Sequence, residues 1–376
     1  MAPIRTAIIG LSASGGWAKN AHLPYLTSAA GKAKYNIVAL CNSSVDSAKQ
    51  AIKAYNLPPE TKAYGSPDDV AADPDVDLVI VSTRVDKHYE TGLASIRAGK
   101  HVYVEWPLAQ NVDKAGELAA LAKEKGGKTI IGLQGWCSPV VLKVKELLES
   151  GRIGKVLSSQ VHAAGGTKDR EAFASGIKYF TDKNVGGNVI TIILGHATEC
   201  IQHVLGDVEN VQSRLQIQRP QVKVVDPGRG AETATSDVPD LAFLQGSLPE
   251  SATVAKDASI SIAYRRGQPF KGEPGLDWTI HGEKGEIRVR AFDGPTLNAG
   301  GDGATIELHD FASDEVRPVD WKYADAYAGL PTPARNIGAL YDAFASGDEA
   351  AYPDFERAMV RHRQLGGILD EYYARV

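Results

Sequence analysis

Cysteine is scarce in this chain, methionine scarcer, and long apolar runs are missing. The three cysteines, Cys41, Cys137 and Cys200, stand far apart along 376 residues. An odd number with no metal-ligand spacing excludes a disulfide framework of the small secreted kind and fits a reducing compartment. No stretch approaches the ~20 consecutive apolar residues that a membrane helix requires. Charge of one sign is lacking too: 41 Lys and Arg face 46 Asp and Glu, a formal net charge of −5. Without a basic block, direct contact with nucleic acid is not expected, though charge does not oppose binding to a protein that is itself on DNA. Met1-Ala2-Pro3-Ile4-Arg5 runs straight into an apolar strand, leaving no room for a signal peptide, so a cytoplasmic location is expected.

What is present is an ordinary globular composition, 43% hydrophobic and 23% charged. The length suits two domains better than one core. Ile4–Gly10, Asn36–Cys41, Asp77–Ser82, His101–Val104 and Thr129–Gly132 are short apolar runs without polar alternation. Helical spacing follows over Trp17–Ala29, Val45–Tyr55, His88–Ala98 and Asp113–Lys125. Buried strands alternating with amphipathic helices predict a doubly wound parallel sheet over residues 1–134. From residue 135 the rhythm changes. After a helix over Pro139–Ser150 come strands with alternating or mixed faces: Val156–Ala163, Val208–Gln216, Asp240–Gly246, Ala258–Tyr264, Leu276–Gly282, Gly285–Arg290 and Thr305–Leu308. They predict an α+β domain over 135–376 with a large open mixed or antiparallel sheet. Gln218–Pro239, polar and holding three prolines, reads as a long loop. Asn336–Phe344 and Pro353–Arg375 read as closing helices that can pack back on the first domain. A broad sheet with little to cover it predicts an exposed apolar face, and hence a homodimer.

Between the first strand and first helix lies Gly10-Leu11-Ser12-Ala13-Ser14-Gly15-Gly16, where a dinucleotide fingerprint belongs. Gly10, Ser12, Ser14, Gly15 and Trp17 are the residues expected around the pyrophosphate. Ser12 stands where the pattern wants glycine, so its hydroxyl can donate to a phosphate, or the site is a decayed one. The second strand ends in Asn42-Ser43-Ser44. An acidic residue there would grip the ribose of NAD and repel a 2′-phosphate. Asn42 removes that repulsion and Ser43 and Ser44 can bond a phosphate, which favours NADP, with NAD as the alternative. The serines serve equally as a plain helix cap. Thr83, Arg84 and His88 follow the third run, at the crevice edge where nicotinamide and substrate bind in such sheets; His88 can equally cap its helix.

Several segments resemble the glucose-fructose oxidoreductase, inositol dehydrogenase and rhizopine-catabolism superfamily. They are Ala98-Gly99-Lys100-His101-Val102-Tyr103-Val104-Glu105-Trp106-Pro107-Leu108-Ala109, Gly151-Arg152-Ile153-Gly154, and His281-Gly282-Glu283-Lys284-Gly285. The resemblance spans nearly the whole chain and implies a Rossmann domain followed by a substrate-binding and dimerising domain. Within the superfamily the chain is similar to the galactose-pathway repressor branch of yeasts. Gly16-Trp17-Ala18, His88-Tyr89-Glu90, Val104-Glu105-Trp106 and Leu133-Gln134-Gly135 carry that likeness. The superfamily tripeptide is Glu-Lys-Pro, whose lysine reaches between nicotinamide and substrate; here Trp106 replaces it. The resemblance implies that Glu105 and Pro107 shape a turn beneath the nicotinamide, Pro107 after a cis bond, with Gln134 nearby.

Gly186 to His196 corresponds to the superfamily's catalytic helix, which carries an aspartate four residues before its histidine. Ile192 holds the aspartate's place, while His196 remains. A histidine can exchange a hydroxyl proton as hydride leaves or arrives, or it can be a histidine bonded within the domain. Trp106 offers an apolar wall with one N–H donor, suited to a less polar substrate or to a ligand bound without turnover. Tyr179 and Lys183 can donate to a substrate, although ordinary surface placement suits Lys183 better. The reading is an NADP-preferring oxidoreductase for a carbonyl/alcohol or imine pair, a small-molecule substrate, with His196 as proton carrier and no metal. The alternative is a non-enzymatic dinucleotide-binding regulator with a protein partner, which would place it in the nucleus as well. A lyase or hydrolase using transient oxidation stays open.

Overall fold

The computed structural model describes residues 2–299 and 302–375. The chain divides into two compact units, Met1–Cys137 with Tyr323–Gly366, and Ser138–Lys322 with Gly367–Val376.

In the first unit, β1 (Ile4–Ile9), β2 (Tyr35–Cys41), β3 (Lys62–Tyr64), β4 (Leu78–Val81), β5 (His101–Glu105) and β6 (Thr129–Gly132) form a parallel sheet in the order β3-β2-β1-β4-β5-β6. This is the expected doubly wound sheet with one strand more. The edge strand β3 is only three residues long and half-exposed, too short to show an apolar run. Side chains alternate across the sheet and feed two cores. Ile8, Leu40, Ile80, Tyr103 and Ile130 pack with Ile337, Tyr341 and Phe344 from the helix Thr332–Ser346. Ala7, Val81, Val104 and Ile131 pack with Leu118, Phe355 and Met359, the last two from the helix Phe355–Tyr373. Both faces of a parallel sheet must be covered, and sequence-distant helices complete each. The first helical stretch is broken: a π-turn over Ala18–His22, an α-helix over Leu23–Thr27, and a short one over Ala29–Lys32 capped by Ser28.

In the second unit, β7 (Val156–Gly165), β8 (Ala172–Ala174), β9 (Glu209–Gln216), β10 (Gln221–Asp226), β11 (Gly230–Thr235), β12 (Leu241–Ser247), β13 (Val254–Arg266), β14 (Leu276–Gly282), β15 (Gly285–Ala291), β16 (Thr305–Asp310) and β17 (Glu315–Val319) make two sheets. Eight strands run β17-β16-β15-β14-β7-β13-β12-β9, and three run β11-β10-β8. The large sheet is mixed, since β7 and β13 are parallel and β14 lies antiparallel to β7. Two expectations are corrected. Gln218–Pro239 is no loop: β10 and β11 pair in register from Gln221↔Thr235 to Asp226↔Gly230. Val222 and Val224 are buried between exposed neighbours, so period two was present, and Pro227 and Gly228 fall in the hairpin turn rather than in a strand. Nor is the exposed face of the large sheet apolar. It carries Ser158, Gln160, His162, His281, Glu286, Arg288 and Glu307 beside the exposed Phe243 and Val316, a mixed surface, while Trp278, Ile280, Ile287 and Val289 fill the other face.

Candidate dinucleotide and substrate site

At the carboxyl ends of β1 and β4 the strand order changes direction, which is where open α/β sheets bind ligands. Gly10 ends β1 there with φ +101°, and a β-carbon on it would lie 2.4 Å from the Ser82 carbonyl oxygen. Only glycine lets the two strand ends approach so closely. The turn beyond is exposed from Ser12 to Ser14, and Gly15 and Gly16 have positive φ, Gly16 with open space around it and Gly15 with only the Lys19 stem at 4.0 Å. Ser12 Oγ and Ser14 Oγ are 2.8 Å apart, and the Ser12 carbonyl accepts from Tyr55 Oη at 2.5 Å. Trp17 is part-exposed beside it.

Asn42 braces this turn, its Nδ2 donating to the Leu11 carbonyl at 2.9 Å. Ser44 is the N-cap of the helix Val45–Ala54, accepting from the Ser47 N–H at 3.1 Å, so the capping role left open in the sequence is realised. Ser43 is exposed next to it. Beyond β4, Arg84 is engaged with Asp86 through two bonds of 2.5 and 2.6 Å. The helix Val85–Arg97 has no side-chain cap. His88 lies inside its first turn instead, with Nε2 2.9 Å from the Thr83 carbonyl and Nδ1 2.7 Å from the Pro107 carbonyl. Burial pushes its pKa down, opposed by those two carbonyls. A neutral ring donates to one of them at a time.

After β5, the Trp106–Pro107 peptide is cis, as the resemblance implied. Glu105 Oε1 lies 2.8 Å from His22 Nε2 and accepts from Tyr103 Oη at 3.1 Å, and His22 Nδ1 is 2.6 Å from Tyr341 Oη. One tautomer satisfies them all: Tyr341 donates to Nδ1, and the Nε2–H donates to the carboxylate. Trp106, expected as an apolar wall, is largely buried. Its indole is 4% exposed, belongs to the core with Leu108 and Met359, and lies against the His362 ring. Gln134 opens the short turn Gln134–Cys137. Both of its amide atoms and Thr83 Oγ1 are buried without a hydrogen-bond partner among the described residues. Open space over Gly16, and unmet polar atoms at Thr83 and Gln134, fit a dinucleotide laid across the strand ends from β2 to β6.

In the second unit, Asn188 caps a π-turn over Val189–Leu194 that leads into the helix Gly195–Leu205. His196 is buried in that helix's first turn, and Ile192 packs on the apolar core. The π-turn loosens the one-turn spacing between positions 192 and 196, and such irregularities are frequent at functional sites. Tyr179 packs against the core with its ring 5.0 Å from that of Phe180. Lys183 is occupied: its ammonium lies 4.4 Å from the centre of the Tyr373 ring, and its backbone N–H donates to Asp237. His22 and His362 were not singled out in the sequence. Arg361-His362-Arg363 has the look of a solvated helix face, yet Arg361 and His362 are buried. Burial pushes the thiols of Cys41 and Cys137 up to about 11 and about 12, so both stay protonated. No helix among the described residues is long and apolar enough to cross a membrane.

A doubly wound unit with a glycine turn at its crossover, joined to a mixed-sheet unit, defines the class as a two-domain dinucleotide-binding protein. The chain belongs to the oxidoreductase family with an NAD-binding Rossmann fold, whose model matches residues 4–133, while that of the Gal80p C-terminal domain matches 139–291. It is 32% identical over 369 residues to dehydrogenase aclE of Aspergillus oryzae, covering 97% of this chain and 95% of that protein. It is 27% identical over 303 residues to the galactose/lactose metabolism regulatory protein GAL80 of Saccharomyces cerevisiae, covering 78% of this chain and 68% of the regulator. A crystal structure of a super-repressor mutant of Saccharomyces cerevisiae Gal80p superimposes with a TM-score of 0.87 at 22% identity, covering 100% of this chain and 97% of that one.

Proposed function

We propose that this protein is a dinucleotide-dependent oxidoreductase, preferring NADP, that interconverts a carbonyl/alcohol or imine pair in a small molecule with His196 as proton carrier. The observation that carries the reading is the Gly10–Gly16 turn, with its close strand approach and open space at the crossover of the sheet. Likeness along nearly the whole chain to a protein named as a dehydrogenase supports it. When bound, the dinucleotide supplies or takes hydride at nicotinamide C4. Ser12 and Ser14 offer donors to the pyrophosphate. Asn42 braces the turn and sets no carboxylate beside the adenosine ribose, while Ser43 and Ser44 offer hydroxyls for a 2′-phosphate. No arginine follows these serines to hold that phosphate, so the preference is modest. Thr83 and Gln134 supply polar atoms at the nicotinamide end. Trp106 cannot titrate, which leaves His196 to hold or release the substrate proton.

The second reading is a dinucleotide-binding regulator that captures a protein partner. It is favoured by Ile192 and Trp106, which remove both the aspartate and the lysine, and by the likeness to GAL80. Calorimetry with NADP, NAD and the Asn42→Asp variant tests the cofactor assignment: NADP is expected to bind more tightly than NAD, and the added carboxylate to weaken NADP most. Binding of neither dinucleotide would end both readings. In a screen of carbonyls, alcohols and imines, His196→Ala is expected to lower turnover ~10²–10⁴-fold with dinucleotide affinity nearly unchanged. Full turnover in that variant moves the proton to another group. A blank screen together with dinucleotide-dependent capture of a protein selects the regulator.

A further inference from the structure

Three histidines outside the proposed chemistry converge on four consecutive residues of the first unit. The segment Glu105-Trp106-Pro107-Leu108 leaves the carboxyl end of β5, where the sheet's hydrogen-bond ladder ends. His22 holds the Glu105 carboxylate at 2.8 Å, and His88 lies 2.7 Å from the Pro107 carbonyl oxygen. His362 Nε2 accepts the Leu108 N–H at 3.1 Å, and its ring centre lies 4.8 Å from that of Trp106. The three rings come from the segment after the glycine turn, from the helix Val85–Arg97 and from the helix Phe355–Tyr373, and all are buried. Opposite Glu105, Gly132 has no room for a side chain: a β-carbon there would lie 2.7 Å from Glu105 Oε2. The turn is thus gripped on its acid, its indole, a carbonyl and an amide.

His362 is the member whose state the geometry defines. It receives an N–H on Nε2, so that nitrogen must present its lone pair. Burial agrees, pushing the pKa down to about 3. A ring that stays neutral and nearly inaccessible moves no proton to a substrate; what it can do is hold.

We propose that His362 is a positioning residue for the nicotinamide end of the dinucleotide site, fixing the Leu108 amide and the Trp106 indole and with them the turn on which the nicotinamide half rests. This rests on the dinucleotide-binding reading above. Pre-organising a site to within about 0.5 Å takes supporting contacts of this kind. The adenosine end is held by other atoms, through Asn42 to Leu11 and Tyr55 to Ser12. The two ends of the site therefore respond to different substitutions.

The experiment is a calorimetric titration of the full chain with NADP, NAD, and the corresponding fragments that lack nicotinamide, ADP-ribose and its 2′-phosphate. His362→Phe keeps a ring against Trp106 but strands the Leu108 N–H, whereas His362→Gln keeps an acceptor. In His362→Phe the free turn is expected to relax until the Leu108 N–H is satisfied, and binding must reverse that; the preferred dinucleotide should weaken about tenfold, the scale of one buried donor, with the matching fragment within about twofold. His362→Gln should recover most of the loss. If His362→Phe does not fold, His362→Asn, whose amide is too short to reach the Leu108 N–H, takes its place. Equal weakening of dinucleotide and fragment, or no weakening, overturns the inference while leaving the functional reading intact. A wild-type protein that binds ADP-ribose and its 2′-phosphate but neither dinucleotide overturns it too. Failure to bind any of the four ligands overturns the functional reading, and the inference with it.

Discussion

A buried histidine that stays neutral has a consequence in acid. The His362 pKa is pushed from 6.5 down to about 3 by burial, while in the unfolded chain the ring is free to charge near its ordinary value. Below that value the unfolded state binds a proton that the folded state refuses, so stability is complete above about pH 6.5 and falls as the pH drops towards 3. At pH 5 this one residue should cost about 2 kcal/mol. His88, shifted downward by the same cause, adds to it in the same direction. Urea midpoints measured between pH 7.5 and 4.5 should fall more steeply for the wild type than for His362→Gln. Parallel curves would mean that other groups dominate acid unfolding. At this scale the sequence was legible where a short motif sets the backbone, as at Gly10 and the Trp106–Pro107 bond. It was silent on His362, because two flanking arginines hide a residue whose burial depends on a helix docking more than two hundred residues from its partner Leu108.

Elements read well where a single period runs long. The inner strands of the first unit are apolar without alternation because both faces are covered, and the strands of the large sheet alternate because one face is. Elements were missed where they are short or interrupted. β3 has three residues, and β10 and β11 hide behind prolines that terminate strands in most contexts. Gly10 joins the element scale to the site. Alanine there must adopt φ +101° and place a β-carbon against the carbonyl of Ser82, pushing β1 and β4 apart. Gly10→Ala should cost about 3 kcal/mol of stability from strain and overpacking, and weaken dinucleotide binding as the crossover opens. Chemical denaturation and calorimetry on the same preparation check both; a stable variant with unchanged affinity would show that the strand ends can yield.

For the whole molecule, the exposed face of the large sheet alters the expected association. A homodimer through that sheet, burying at least ~1,000 Å² as a stable contact requires, would now join a mixed surface, largely charged over β14–β16 with Phe243 exposed on β12. Arg288 and Arg290 already pair with Glu307 on it, and His281 with Glu286. Such an interface should be salt-sensitive, since about 1 M salt shrinks electrostatic reach to roughly 3 Å. Light scattering at micromolar concentration is expected to give a dimer at low salt and a larger monomer fraction at high salt; a monomer throughout would remove the dimer. The first unit is also discontinuous in the chain, because Tyr323–Gly366 returns to it and supplies Tyr341 and His362. The sequence by itself determined the two kinds of sheet, the glycine turn, the absent acidic residue and the family, because each is a local periodicity or a short motif in which neighbours along the chain are neighbours in space. Tertiary structure alone decided that Trp106 lies in the core, that Lys183 is spent on Tyr373, and that three distant histidines grip one turn. Those contacts depend on which helix covers which face of a sheet, and no local pattern encodes that.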